Sequence, residues 1–557
     1  MEISLRAIFV IIRILFRYTD NSLDLCLCKN DKIMRGKITL LLMALTMMSC
    51  SEDRLASSNG IDYHYGRDLS HEKIVLGDRL ENPYKTENIT KALMELYPTK
   101  ADRVDVQATD LYVRFLPKTE EEYNELKSLG LVLLDHPMDY EIVKEGDWYH
   151  DPEVPEGEVT WQYAVVPHDF IFPDMEYEII DQCYLAENDA GTRADDGIDW
   201  DAVERQAYMM TGNGDMLEPQ TKASKVYPSG RISIVDDDYN GGQPVGVAGV
   251  RVSCNVFVKF AHCYTDADGY YSMPKKFSMN PRYRLVFENI KGFAIGFNLL
   301  LVPASYSTLG KASKSGVNMT VTKDSESKLF KRCVVNNAGY DYYSRCDVED
   351  LNLTTPPGNL RIWIFHKLAV SSSVMLHHGA IIDMDLISSF LGEFASLLKV
   401  FLPDITLGLS KSHSYKSIYG TAAHEFAHAS HFSEVGTSYW NKYILYMIGS
   451  YVATGGMTYG DGQGLNAGCC AISEMWAYYM ESKLSYDRYG GQAMIYGASY
   501  WFYPHIFWYL DALGISSSDI LSVLNHNMTS VDELERALIA SNRDKAAAVE
   551  LIFDRYR

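Results

Sequence analysis

The sequence predicts a multidomain α+β protein: an N-terminal α/β domain, a central β-sandwich and a mainly helical C-terminal domain. Three observations carry this. The chain has 557 residues, too many for a single hydrophobic core. Residues 228–325 break into short apolar runs separated by Asp-, Asn- and Gly-rich turns, the pattern of a sandwich. Residues 419–432 are apolar nearly all round at helical spacing, which marks a buried helix, and they contain His424-Glu425-Phe426-Ala427-His428.

Bulk properties narrow the partners. A hydrophobic content of 47% is that of an ordinary globular chain. A net charge of −22 repels phosphate backbones, which argues against nucleic acid as a partner. The 39 Tyr suit contacts with sugars or peptides, and they suit a wet, amphipathic core equally well.

Met34-Arg35-Gly36-Lys37 is a short basic segment, and an apolar run over residues 38–48 leads into Met47-Met48-Ser49-Cys50. The run is too short for an ordinary transmembrane helix. It resembles a bacterial lipoprotein signal, in which Cys50 would be lipidated and become the first mature residue. Ser51-Glu52-Asp53 resembles the acidic export tag on surface lipoproteins of Bacteroides-like bacteria. The resemblance implies an exported outer-membrane or cell-surface protein, held to the membrane by a lipid anchor at Cys50. Residues 1–33 are then a mis-started leader and 51–60 a tether; a longer signal or a membrane segment is the alternative. Export would expose the thiols to oxidation. Cys254 with Cys263, and Cys333 with Cys346, are spaced to pair across a hairpin and a short loop, whereas Cys469-Cys470 reads as two small buried residues.

Residues 61–190 read as an α/β domain. Thr86 caps a helix that Pro98 ends. A strand over 110–116, a helix from Glu120 capped by Thr119 and ended by Gly130, and a returning strand over 131–134 make a β-α-β unit. Residues 191–227 form a linker with a helix over 199–210. In 228–325 strands are expected over 230–235, 252–260 and 283–290, and Thr265-Asp266-Ala267-Asp268-Gly269 is a turn, for which calcium binding is the weaker reading. The order of these motifs resembles the carboxypeptidase-regulatory-like family, a transthyretin-type sandwich whose members serve as spacers or docking modules.

Residues 326–557 hold the candidate metal site. Strands are expected over 360–368, 374–384 and 403–409, a helix over 387–402, and loops over the Tyr- and Gly-rich stretch 439–468. The C-terminal part reads as helices, with Ser530 and Glu533 as a capping box. Histidines four apart stand one above the other on a helix, close enough to bind one metal ion. Glu425 is then placed to take a proton from metal-bound water. Chance would give such a pattern roughly 0.03 times in a chain with 15 His.

A catalytic zinc ion needs a third ligand, with a fourth position for water. Gly three residues after His428 and a ligand six after would fit one zinc clan, but those positions hold His431 and Glu434. His431 shares the helix face, and one straight helix cannot wrap three ligands around zinc. A second helical stretch, Ala471-Ile-Ser-Glu-Met-Trp-Ala-Tyr-Tyr-Met-Glu481, offers Glu474, with Glu434 and Glu481 as alternatives. The two stretches together resemble the gluzincins, zinc-dependent metalloproteases with a zincin-like domain whose third ligand is a glutamate on a later helix. That resemblance implies Zn2+ on His424, His428 and Glu474, Glu425 as the catalytic base, and a peptide, protein or glycoprotein substrate. Tyr478, which stands where an orienting Asp would follow, joins Tyr459 and His505 as a possible oxyanion donor. The alternative is a surface lipoprotein that binds glycans or proteins, with a vestigial or structural zinc site.

Overall fold

The computed structural model describes residues 73–101, 104–146, 148–155, 158–189, 197–217, 225–296, 306–324, 327–347, 351–365, 371–380, 403–410, 412, 414–454 and 457–557. The segments expected to be a leader and a tether, Cys50, parts of the expected linker and the helix expected over 387–402 lie outside them. The protein is mixed α+β. It falls into two compact units, Gly60–Tyr340 and Asp341–Arg557. No helix among the described residues is long and apolar enough to cross a membrane.

In the first unit Asp110–Phe115 is the centre of an antiparallel sheet, flanked by Gln162–Pro167 and Tyr177–Cys183. The expected β-α-β unit does not form. Its helix does, as Glu120–Ser128, with the Thr119 side chain accepting from the Glu122 N–H and Gly130 at φ 74° beyond its end. Residues 131–134, however, form no extended strand, only a single antiparallel bridge from Leu134 to Tyr163. Leu131 and Leu133 instead pack against the core of Leu111, Val113, Phe115 and Leu126, so their apolar pattern reports burial rather than pairing. Thr86 is the first residue of the helix Thr86–Leu96 rather than its cap, and Pro98 opens a further turn, Pro98–Ala101. Proline at a first helical position forfeits no hydrogen bond.

The sandwich region has two sheets. Ser229–Ile234 pairs with Tyr270–Ser272, Met319–Val321 and Val245–Gly246. Arg282–Val286 lies between Tyr306–Lys311 and Arg251–Val256, and Lys259–Tyr264 completes the second sheet. The single strand expected over 252–260 is thus a hairpin, turning through Phe257 at φ 48°. Asp266 accepts from the backbone N–H groups of Asp268 and Tyr270 at 3.0 and 2.8 Å, as a turn aspartate does. All four cysteines expected to pair are free thiols. Cys333 and Cys346 lie on one helix, Ser327–Cys346, and not across a loop; a rise of about 1.5 Å per residue holds them roughly 20 Å apart.

In the second unit Leu360–Phe365 pairs parallel with Ile405–Gly408, whose other side pairs antiparallel with Ser372–Ser373. Residues 374–380 form a turn instead of the expected strand. The motif helix Tyr415–Thr454 is broken at Gly436, where φ 73° and ψ 174° suit glycine alone. It resumes through residues expected to be loop. Tyr439, Trp440, Tyr443, Ile444 and Met447 recur at helical spacing there, and all are buried. Ala467–Tyr489 packs along the motif helix, with Trp476 Nε1 donating to the Ala427 carbonyl at 3.2 Å. Cys469 and Cys470 are buried and free within it. The chain ends in the helices His505–Ala512, Ser517–Val523, Val531–Ser541 and Ala546–Asp554. Ser530 caps the third of these, but the Glu533 side chain accepts from the Thr529 N–H, which leaves half of the expected capping box.

Candidate metal centre

His424 and His428 lie one turn apart, with ring centroids 4.9 Å from each other. Glu474 comes from the facing helix. Its Oε2 lies 3.6 Å from Nε2 of His424 and 3.6 Å from Nε2 of His428. Among the described residues these three form a buried group that could hold a metal ion, with all donor atoms within 4.8 Å of one another. His424, Glu425, His428 and Glu474 are 1%, 0%, 0% and 0% exposed. The His424 Nε2 and the Glu425 Oε1 have no hydrogen-bond partner among the described residues. Polar atoms buried in this way are costly unless something binds them, so the donor set fits an ion.

Neighbouring side chains fix which atoms point inward. Glu481 Oε2 lies 3.1 Å from His424 Nδ1, which turns Nε2 of that ring toward Glu474. Gly420 makes the room: a Cβ there would come within 3.1 Å of Glu481 Oε1. The Tyr443 hydroxyl donates to Glu474 Oε1 at 2.7 Å, and its ring stacks on His428. The Ser373 hydroxyl donates to Glu425 Oε2 at 2.7 Å. Each carboxylate is thus held by one oxygen and offers the other.

The electrostatics follow. Burial would push the His424 imidazole down, but the carboxylates of Glu474 and Glu481 outweigh it and raise the pKa to about 10. For His428 burial prevails and the pKa falls. Burial alone would raise Glu474, yet the two imidazoles hold it at about 2. Burial pushes Glu425 up to about 8, against the opposing pull of His424 and Ser373. The metal-free centre therefore carries a proton on His424 where an ion would sit.

The other expected residues divide. His431 is buried against Tyr439 and Trp440, and burial depresses it to about 3, as for a core histidine. Glu434 is half-buried and bonded by the Thr354 hydroxyl. Glu481 orients a ligand rather than joining the group of three. Tyr478 stands edge-on to His424 at 4.4 Å, and its hydroxyl meets that of Tyr459 at 2.8 Å. His505 is not brought to the centre; it stacks on Tyr509 and Tyr556. Sequence reasoning missed Tyr443 and Ser373. The helical spacing after Gly436 was the available signal for the first; for the second there was none. Comparison of the chain with protein-family models, with curated proteins and with solved structures yields no match.

Proposed function

We propose that the chain is a zinc-dependent metallohydrolase, a peptidase of gluzincin type that cleaves peptide bonds. The observation that carries this reading is the convergence of His424 Nε2, His428 Nε2 and Glu474 Oε2 beside the unpartnered Glu425 Oε1. Tetrahedral zinc with ligands at about 2.1 Å sets them roughly 3.4 Å apart. Both histidine-to-glutamate separations are 3.6 Å.

A zinc ion held by His424, His428 and Glu474 would lower the pKa of a coordinated water to about 7 and polarise a substrate carbonyl. Glu425 takes the proton at Oε1 and returns it to the leaving amine, while Ser373 keeps Oε2 occupied. The Tyr459–Tyr478 pair supplies a hydroxyl donor on the His424 side, worth about 3 kcal/mol if it meets the developing oxyanion. The substrate is a peptide, protein or glycoprotein met outside the cell, and the segment ending at Cys50 supports export with a lipid anchor.

One observation favours the second reading, a surface binding lipoprotein with a structural metal: all four central residues are at most 1% exposed. Structural sites are closed, whereas catalytic ones keep a position open. Against it, a structural site has no use for Glu425. In the test, metal content and cleavage of a peptide and glycopeptide library are measured for the wild type and Glu425→Gln. The expected outcome is one zinc per chain in both, with cleavage only in the wild type. Zinc without cleavage by the wild type supports the binding protein, and full activity in Glu425→Gln overturns the mechanism.

A further inference from the structure

In the second sheet of the sandwich region, residues directly opposite one another share a face. Val252, Cys254, Tyr283 and Leu285 are buried on one face. The other is polar. Asn255 opposes Arg282, Ser253 opposes Arg284, and Lys311 opposes Arg282 from the far side. Two guanidinium groups and an ammonium therefore gather on one face of a chain whose net charge is −22. They line a cavity of about 260 Å3 together with His136, Tyr140 and Phe257.

Arg284 is 2% exposed. It donates from Nη1 to Asn255 Oδ1 at 2.7 Å and from Nη2 to His136 Nε2 at 3.1 Å. Neither partner is anionic. Burial holds the imidazole below its usual range, and the Asp135 carboxylate lies beyond it, 2.7 Å from Nδ1. Among the described residues neither Arg284 nor Lys311 has a carboxylate at ion-pair distance. Arg282 is paired with Glu145, and burial together with the charge of Arg284 still lowers it to about 10. The cavity wall adds one acid, Glu141. Arg284 and Lys311 thus face the cavity with no directly paired carboxylate, Asp135 acting on Arg284 only from behind His136. A guanidinium out of water gains from a directly paired anion, and its planar fork matches a carboxylate.

We propose that this cavity binds a small carboxylate, held by Arg284, Arg282 and Lys311, with the ligand body against Tyr140 and Phe257. The volume lies just below the usual range for small-molecule sites, which limits the ligand to about the size of a monosaccharide or dipeptide. An acidic sugar and a free peptide C-terminus share this chemistry. The site lies within the first unit and does not depend on the metal centre.

Isothermal titration of the full chain tests this with two matched pairs: sodium glucuronate against glucose, and acetyl-Ala-Ala against its C-terminal amide. The expected result is binding of at least one acid and of neither neutral partner at up to about 10 mM, weakening as salt is raised. Arg282→Gln and Lys311→Met, both outside the fully buried core, should each weaken that binding by about tenfold or more while the thermal melt stays cooperative. Which acid binds identifies the source of the carboxylate. Binding of neither acid, or binding that both variants leave unchanged, overturns the proposal.

Discussion

Tyr443→Phe isolates one atom of the metal centre. The substitution keeps the ring that stacks on His428 at 5.9 Å and removes only the hydroxyl that donates to Glu474 Oε1 at 2.7 Å. Glu474 is 0% exposed, so no bulk water replaces the lost donor. A hydrogen bond to a charged group contributes about 1.5–3 kcal/mol. Loss of such an outer partner lowers metal affinity by roughly 10–100-fold. Part of this comes from freeing Oε1 to rotate, so that Oε2 is no longer held facing the two Nε2 atoms. The assay is competition with a chelator of known zinc affinity, alongside metal analysis at saturation. The expected outcome is an unchanged stoichiometry of one, with a dissociation constant raised by about one to two orders of magnitude. Ser373→Ala is the counterpart, because its hydroxyl serves Glu425 rather than a ligand. It should reduce turnover and leave zinc affinity within about threefold. Unchanged affinity in Tyr443→Phe would refute the role given to that hydroxyl. Equal loss of affinity in both variants would mean that they loosen the fold in general.

In metal-free protein His424 holds its proton up to about pH 10, so zinc must displace that proton. Apparent zinc affinity should therefore rise at least tenfold per pH unit between pH 7 and 9, with about one proton released per ion near pH 9 and more below pH 8, where Glu425 is also protonated, as calorimetry in buffers of different ionisation enthalpy would read. In the first unit, Glu204 is buried beside Lys225 at 2.9 Å and Lys259 at 3.8 Å. Burial would raise it, but the two lysines and the Tyr84 hydroxyl hold it at about 2, down from 4.5. At about 1.4 kcal/mol per unit this stabilises the fold by about 3 kcal/mol above pH 4.5, lost as the pH falls from 4.5 to 2. Glu204→Gln should thus be less stable than wild type in urea at pH 7, with the gap narrowing below pH 4.5 and closing only near pH 2; a gap independent of pH would rule this account out. Gly436→Ala meets no steric obstacle, since nothing lies within 4 Å of the added Cβ, but it forces φ 73° on alanine. A loss of about 1–3 kcal/mol is expected, seen as a lower melting temperature, and an unchanged melt would mean that the helix break does not need glycine.

What the sequence disclosed followed the range of the interaction. The histidine pair and Glu425 were legible because their geometry is set within one helical turn. Glu474 was legible as a carboxylate on a second helical stretch, although nothing local distinguished it from Glu481; only the facing helix separates a ligand from its orienting neighbour. Tyr443 was hidden because Gly436, Gly449 and the many tyrosines read as loop, while the buried spacing of 439, 440, 443, 444 and 447 is helical. Ser373 reaches Glu425 through a strand of two residues whose pairing no local pattern announces. The failed β-α-β unit has the same cause. Asp110–Phe115 pairs with strands some fifty and seventy residues later, and the apolar run 131–134 looks identical whether it joins a ladder or lines a core.

The charge balance of the centre explains why neutral hydroxyls, and not lysines, hold its carboxylates. Glu474 and Glu425 would together neutralise a bound dication, with Glu481 nearer the rim at 12% side-chain exposure. A cationic donor in place of Tyr443 or Ser373 would pair more strongly with either oxygen, but it would then repel the ion across a few ångströms of low-dielectric interior. A hydroxyl fixes orientation without adding charge. In the metal-free state the same economy leaves the protonated His424 as the nearest compensation for two buried acids, and Glu425 is pushed up to about 8. Loss of a bound metal would thus draw protons to the histidine and the glutamate on which the proposed hydrolysis depends. Zinc occupancy and the ionisation of Glu425 should therefore be coupled: chelation should raise the pH at which Glu425 ionises, and zinc should lower it again.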